Sequence, residues 1–183
     1  DRSEKRLGRV RENLGRLGLN ADVVCADAGD WRPAEAADAV LVDAPCSSTG
    51  TIRRHPDVAR LKTPGDVAKL GGVQQRLLAA AVEMVRPGGL IVYCSCSLQP
   101  EEGPDQAAAL LDAGAPVRRL PVTPEEVGGG VKLITETGEL RTLPSHLGER
   151  GGMDGFTPYA SNGFDHKGGT LIVEAFTFLT RQG

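Results

Sequence analysis

Leu41-Val42-Asp43-Ala44-Pro45-Cys46-Ser47-Ser48-Thr49-Gly50-Thr51-Ile52-Arg53-Arg54-His55-Pro56 is the stretch that decides how this chain folds. It opens at the end of an apolar run, Ala39 to Val42, of the kind that forms a buried strand. The run then breaks into an acid, a proline, a thiol and small hydroxyl residues. Proline cannot donate to a sheet ladder, so the strand should stop near Ala44 and leave Asp43 and Cys46 at its carboxyl edge, where open α/β sheets hold their ligands. Two arginines and a histidine, Arg53, Arg54 and His55, follow within reach.

Upstream of this strand, Leu7, Val10, Leu14 and Leu17 recur at spacings of three and four, which predicts an amphipathic helix over Arg2 to Leu17 with Gly18 as its C-cap. The basic residues between them, Arg2, Lys5, Arg6, Arg9, Arg11 and Arg16, read as a solvated helix surface in preference to a phosphate-binding face. Asp22 to Ala26 reads as a short strand with Cys25 in the core. Downstream, Val67, Leu70, Val73, Leu77, Leu78, Val82 and Val85 predict a helix over Asp66 to Val85, weakened by Gly71-Gly72. Pro87-Gly88-Gly89 turns into a third strand, Leu90 to Cys96, and Pro100 to Asp112 reads as a further helix with Glu101 and Glu102 in its first turn.

Helices thus alternate with strands, which implies a mostly parallel sheet with right-handed crossovers, a doubly wound α/β domain. From Ala113 to Gly155 the chain is loop-rich, with short strands expected at Val131 to Ile134 and Glu139 to Leu143. Thr170 to Leu179 reads as a late strand, antiparallel at the sheet edge.

The 183 residues, 40% of them hydrophobic, suffice for one domain with a real core. A formal charge of -3 gives no global electrostatic reason to bind a polyanion, so any such site is local or supplied by another domain. Four cysteines, Cys25, Cys46, Cys94 and Cys96, lack CxxC spacing and a histidine partner set. That pattern argues against zinc, a disulfide framework or thiol redox chemistry, and it fits a reducing, cytoplasmic setting. No apolar run approaches the roughly 18 residues of a membrane helix, and no leader opens the chain, so nothing is expected to anchor or export it.

Asp1, Asp27 and Asp43 stand at the ends of successive strand positions. Three acids in register suit a bound nucleoside, one accepting from ribose hydroxyls and the others near the base. Asp1 directly precedes a helix, with no strand or glycine-rich turn ahead of it, unlike the start of a doubly wound nucleotide-binding domain.

Three runs make a specific likeness: Asp43-Ala44-Pro45-Cys46-Ser47-Ser48-Thr49-Gly50, then Arg53-Arg54-His55-Pro56-Asp57, then Tyr93-Cys94-Ser95-Cys96-Ser97-Leu98-Gln99-Pro100-Glu101-Glu102. Together they resemble the S-adenosylmethionine-dependent RNA cytosine-C5 methyltransferases, most closely the RsmB/Sun (Fmu) branch that acts on 16S rRNA. Leu143-Pro144 and Asp154-Gly155-Phe156 resemble that family's closing segments.

The resemblance implies a Rossmann-like methyltransferase sheet lacking its first strand. It implies an N-terminally truncated catalytic domain over residues 1–156, followed by an atypical tail over residues 157–183. By the same resemblance Cys96 is the nucleophile, Cys46 assists product release, and Asp43 holds the target cytosine near the methyl donor. Asp1 is similar to the acid that grips the cofactor ribose and Asp27 to the residue beside the adenine. Arg53, Arg54 and His55 are implied RNA or structural contacts.

Strand periodicity puts Cys94 and Cys96 on one face and does not choose between them. The choice of Cys96 rests on the family pattern alone, in which the reactive cysteine directly precedes Ser-x-x-Pro-Glu. The chemistry asks for such residue types independently. Cytosine C5 is a poor nucleophile until a thiolate adds at C6, and the adduct must afterwards lose a proton and expel the sulfur. The rival reading is a non-enzymatic RNA-binding or assembly module that retains the family motifs. Because the glycine-rich turn normally holds the cofactor, this chain by itself is expected to bind S-adenosylmethionine weakly or not at all.

Overall fold

The first helix of the computed structural model, which describes residues 1–52, 54–127, 134, 140–141 and 175–182, is α1 (Glu4–Leu17). The Ser3 side chain caps it by accepting from the Arg6 amide, and Gly18 ends it at φ 66°, a left-handed conformation that costs glycine nothing. Only Leu7 of its apolar stripe is buried; Val10 and Leu17 stay exposed.

The sheet is organised by β1 (Ala37–Asp43) and β2 (Val85–Ser95), which pair in parallel from Ala39 opposite Leu90 to Asp43 opposite Cys94. The crossover between them carries a four-residue helix, α2 (Val58–Leu61), and the long α3 (Pro64–Met84). Thr63 begins α3 with a reciprocal capping box: its hydroxyl accepts from the Asp66 amide while the Asp66 carboxylate accepts from the Thr63 amide. The Pro87-Gly88-Gly89 segment bulges opposite Asp38 within β2, so that the strand begins earlier than the sequence predicts. Gly89 is required there, since a Cβ would lie 2.7 Å from the Asp38 carbonyl oxygen.

Beyond β2 come α4 (Pro104–Asp112), β3 (Val117–Arg119), β4 (Leu140–Arg141) and β5 (Ala175–Arg181). The strand order is β1-β2-β5-β3, with β4 also pairing β5. The late strand is antiparallel, as expected, but it lies inside the sheet, between β2 and β3, and not at an edge. Both of its edges find partners: Leu90 to Ser95 on one side, and Val117 to Arg119 with Leu140 and Arg141 on the other.

Three expectations change. Asp22 to Ala26 forms no strand, because among the described residues its backbone bonds are made to Asp1 alone: the Asp1 amino group donates to the Val24 carbonyl at 3.3 Å and the Asp1 carbonyl accepts from the Ala26 amide at 3.0 Å. One such bridge is not a ladder, and Cys25, expected in the core, is exposed. The helix expected over residues 100–112 is two pieces, a 3-10 turn (Pro100–Glu102) and α4, broken at Gly103 (φ -132°, ψ -106°). Pro104 causes the break by disfavouring a helical conformation in the residue before it.

Third, β1 is buried only in part. Val40 and Val42 pack against the core, whereas Leu41, on the opposite face of the strand, is 67% exposed because the described residues leave that face uncovered. Of the strands expected at residues 131–134 and 139–143, Leu140 and Arg141 form β4 and the rest, apart from Ile134, lie outside the described residues, as do Arg53 and the 143–144 and 154–156 motifs.

Leu78 from α3, Val85 and Ile91 from β2 and Leu179 from β5 are all 0% exposed and form the centre of the core. Leu78→Ala is therefore expected to lower unfolding free energy by about 3 kcal/mol in urea titration. Leu41→Ala, on the exposed side of β1, should stay within about 0.5 kcal/mol of the parent.

Candidate active site

Parallel pairing carries β1 and β2 to the same edge of the sheet, where the Ala44 amide still donates to the Cys94 carbonyl at 3.0 Å. Both chains then leave the ladder. The β1 side continues as Pro45-Cys46-Ser47-Ser48-Thr49-Gly50 and the β2 side as Cys96-Ser97-Leu98, with the Gly50 amide donating to the Cys96 carbonyl at 2.9 Å. The sulfurs of Cys46 and Cys96 come to 3.3 Å.

Cys94 is placed elsewhere. It is buried, with its sulfur 3.5 Å from the Val42 carbonyl oxygen and 3.8 Å from an Asp43 carboxylate oxygen. The strand ends at Ser95, so the alternation that would have kept Cys94 and Cys96 on one face no longer applies to Cys96.

Ser48 adopts φ 60° and ψ 28°, a left-handed conformation that costs a non-glycine residue about 1 kcal/mol. The turn sets its hydroxyl oxygen 3.5 Å from the Cys96 sulfur and 4.0 Å from that of Cys46. Hydrogen bonds from the Cys46 thiol and from Ser48 stabilise the Cys96 thiolate, pulling that thiol down to about 6 against the opposing effects of burial and of the nearby Asp43 charge. Cys46 moves the other way, because it donates to Cys96 and is itself partly desolvated. The two sulfurs are thus unequal: one is held as thiolate near neutral pH, the other as thiol.

A buried polar cluster underlies this pair. The Glu102 carboxylate, 0% exposed, accepts from the Ser47 amide at 2.8 Å, from the Ser47 hydroxyl, and from Gln74 Nε2 at 3.2 Å. Gln74 also donates to the Pro45 carbonyl at 2.8 Å. Ser97 Oγ lies 3.2 Å from Ser47 Oγ and 3.1 Å from Thr49 Oγ1, and Thr49 Oγ1 accepts from the Leu98 amide at 2.8 Å.

Sequence reasoning missed Ser47, Gln74 and Glu102. Gln74 left a legible signal, a polar residue four positions from both Leu70 and Leu78 on the buried stripe of α3. Glu102 left none, because an acid beside a proline reads as an exposed first turn.

The three acids do come together. Asp1, Asp27 and Asp43 line one open cavity of about 440 Å³ along with Arg2, Arg6 and Arg76. That volume lies in the range of small-molecule sites. Asp1 accepts from the Ser3 amide at 2.8 Å and from Arg6 at 2.9 Å. Asp27 accepts a two-pronged contact from Arg76 at 2.8 and 2.9 Å and one from the Gly29 amide, which hold its carboxyl below the usual carboxylate range. Arg76 is another residue the sequence did not single out. Asp43 lines this cavity and is also near enough to Cys96 for its charge to act on that thiol. Arg54 and His55 are exposed in the turn that follows Thr51.

An acid-lined cavity and a thiol pair at the carboxyl edge of a parallel strand pair, with one antiparallel strand inserted beyond, define a Rossmann-like methyltransferase fold. Solved structures agree. NSun6 from Pyrococcus horikoshii with SFG, an S-adenosylmethionine analogue, superposes with a TM-score of 0.69 at 21% identity, covering 100% of this chain and 40% of that one. A methyltransferase homolog protein from the same organism superposes with a TM-score of 0.64 at 25% identity, covering 99% and 52%.

Residues 1–157 match the 16S rRNA methyltransferase RsmB/F family, and the chain belongs to it. Among its relatives, the ribosomal RNA small subunit methyltransferase B of Vibrio cholerae is 44% identical over 131 residues, 70% of this chain and 30% of that protein. The same-named protein of Enterobacter sp. is 46% identical over 114 residues, 61% and 27%. The chain thus spans less than a third of the length of these relatives. S-adenosylmethionine is the cofactor that goes with the family. Among the described residues no helix is long and apolar enough to cross a membrane, and no cluster of metal-ligating side chains occurs.

Alkylation of this chain by iodoacetamide, followed by peptide mass spectrometry across pH, should show Cys96 reacting with a midpoint near 6. Cys46 should react only at much higher pH. Since a lowered thiol value means that the thiolate survives acidification, Cys96 should remain the faster site throughout the neutral range.

Proposed function

We propose that this chain carries the catalytic part, residues 1–156, of an enzyme that methylates C5 of a cytosine in RNA, the target being small-subunit rRNA, through a covalent adduct between Cys96 and C6. The observation that carries the reading is the thiol pair at the shared strand edge, two sulfurs 3.3 Å apart with the Ser48 hydroxyl oxygen 3.5 Å from that of Cys96. Attack by the Cys96 thiolate on C6 moves the C5–C6 electron pair to C5, which becomes nucleophilic enough to take a methyl group. S-adenosylmethionine supplies that methyl as a sulfonium, and the cavity lined by Asp1, Asp27 and Asp43 is suited in size and in acceptors to its nucleoside.

In this reading Asp43, which lines the cavity and lies near enough to Cys96 for its charge to act there, orients the base. Release then requires loss of the C5 proton and breakage of the C6–sulfur bond, a step for which Cys46 is the adjacent acid/base group. Arg54 and His55, exposed beside the site, together with Arg53, are assigned to the RNA backbone. The Arg54 charge would be a local one, which suits a chain whose overall charge is -3.

The two cysteines should separate by role in the enzyme that contains this chain. Cys96→Ala is expected to abolish methylation and to leave no covalent RNA complex. Cys46→Ala should allow attack and methyl transfer but slow release, so that a protein–RNA adduct accumulates on denaturing gels. An adduct formed by Cys96→Ala and absent from Cys46→Ala would reverse the assignment.

A non-catalytic RNA-binding module draws support from one feature, the engagement of the Asp1 and Asp27 carboxylates by Arg6 and Arg76. Titration calorimetry of the full protein that contains this chain with S-adenosylmethionine decides between the readings. Micromolar binding lost in Asp43→Asn favours the enzyme, whereas RNA binding by protein that never takes up the cofactor favours the module.

A further inference from the structure

Glu102 is an acid with no exposure at all, and the roles assigned to the two thiols leave it unused. Its position is fixed independently of its carboxylate. The Tyr93 hydroxyl, itself buried in the core, donates to the Glu102 carbonyl at 2.8 Å, and the Glu102 amide donates to the Gln99 carbonyl at 3.1 Å. From that anchor the carboxylate reaches across to the other loop and takes both donors of a single residue, the amide and the hydroxyl of Ser47. Ser47 is flanked by Cys46 on one side and on the other by Ser48, the residue in the left-handed conformation whose hydroxyl touches both sulfurs.

A strained backbone persists only where its surroundings over-determine it. Here the restraints on the Cys46–Ser48 turn include the Glu102 clamp on Ser47, the Gln74 bond to the Pro45 carbonyl, the hydroxyl contacts through Ser97, and the Thr51 amide and hydroxyl, which both donate to the Ser48 carbonyl at 2.9 and 2.8 Å. Glu102 is the member joined to both Ser47 and Gln74, and a carboxylate suits the place because two oxygens must accept from three donors.

We infer that Glu102 is a positioning residue for the thiol pair: through Ser47 it holds the left-handed Ser48 turn, and so keeps the Cys46 thiol and the Ser48 hydroxyl within reach of the Cys96 sulfur. It does not touch the reacting sulfurs itself. As a role in catalysis this rests on the methyltransferase reading above, but the geometric claim concerns only the state of Cys96 and is tested without substrate. The titratable groups around Cys96 are Cys46 on the facing loop and Asp43 at the end of β1, with Tyr93 and Glu102 beneath Cys46. Of these, Cys46 stabilises the Cys96 thiolate and Asp43 opposes it.

The test is the pH profile of Cys96 alkylation by iodoacetamide in the purified chain, with circular dichroism confirming a folded protein. Glu102→Gln keeps the shape but turns one acceptor into a donor against the Ser47–Gln74 cluster. It should shift the Cys96 midpoint upward by about one pH unit, a roughly tenfold loss of thiolate at a pH below both midpoints. Ser47→Ala, which removes only the hydroxyl arm, should shift it in the same direction by less.

Profiles that superimpose on the parent in both folded variants would overturn the inference. Should Glu102→Gln fail to fold, Ser47→Ala decides by the same criterion. In the enzyme that contains this chain, Glu102→Gln should phenocopy Cys46→Ala by accumulating adduct. A shifted alkylation profile without any adduct would leave the positioning role standing and tell against the cytosine-C5 reading instead.

Discussion

Parallel pairing of β1 with β2 is the constraint on which the rest depends. Parallel strands end at the same edge, so the residues that follow each strand are delivered to one place although some fifty positions separate them in the chain. Asp43 stands opposite Cys94 in the register, which puts Cys46 three residues beyond the end of β1 and Cys96 one beyond the end of β2. A slip of one residue would turn the side chains of one strand to the opposite face and part the two sulfurs. The register is held by burial, with Ile91 and Tyr93 of β2 packed under α3 and against Leu179 of β5.

The loop edge that carries the two sulfurs is built differently from the core that supports it. Apolar side chains set the sheet, whereas serines, a threonine, a glutamine and a glutamate, nearly all buried, set the loops above it. Such a polar cluster is weaker than well-packed hydrocarbon as a source of stability, but its directional bonds define where each loop atom lies. Two sulfurs 3.3 Å apart depend on that kind of definition, because hydrogen bonds that lower one thiol and raise the other rest on which neighbour donates to which. The left-handed Ser48 is the visible strain in this arrangement.

On the other side of β1 the balance is reversed. Leu41, Val24 and Trp31 remain exposed around a second cavity of about 400 Å³ that Asp1 and Asp43 also border. Two of the carboxylates that line the nucleoside-sized cavity, Asp1 and Asp27, are held by arginines from α1 and α3, so their geometry comes from helices and not from the sheet itself. Binding of a cationic sulfonium next to Asp43 would meet an acid with no arginine partner among the described residues, unlike Asp1 and Asp27.

What the amino-acid order determined by itself is whatever depends on neighbours along the chain. The helix periodicity of α1 and α3, the apolar runs of β1 and β2, Gly18 as a cap, Pro45 as a strand stop and the thiol-bearing motifs were all legible, because each is a local preference of backbone or side chain. The cysteine pair itself was named through family likeness; periodicity alone left Cys94 and Cys96 equivalent. Tertiary structure decided the rest. It ended β2 at Ser95 and so separated Cys96 from Cys94, left Asp22 to Ala26 without a ladder, and drew the late strand between β2 and β3. It also buried Glu102, Gln74 and Ser47 together, from three segments with no shared local pattern. Their hydrogen bonds exist only once the sheet has closed the distance, and for that reason no reading along the chain could have found them.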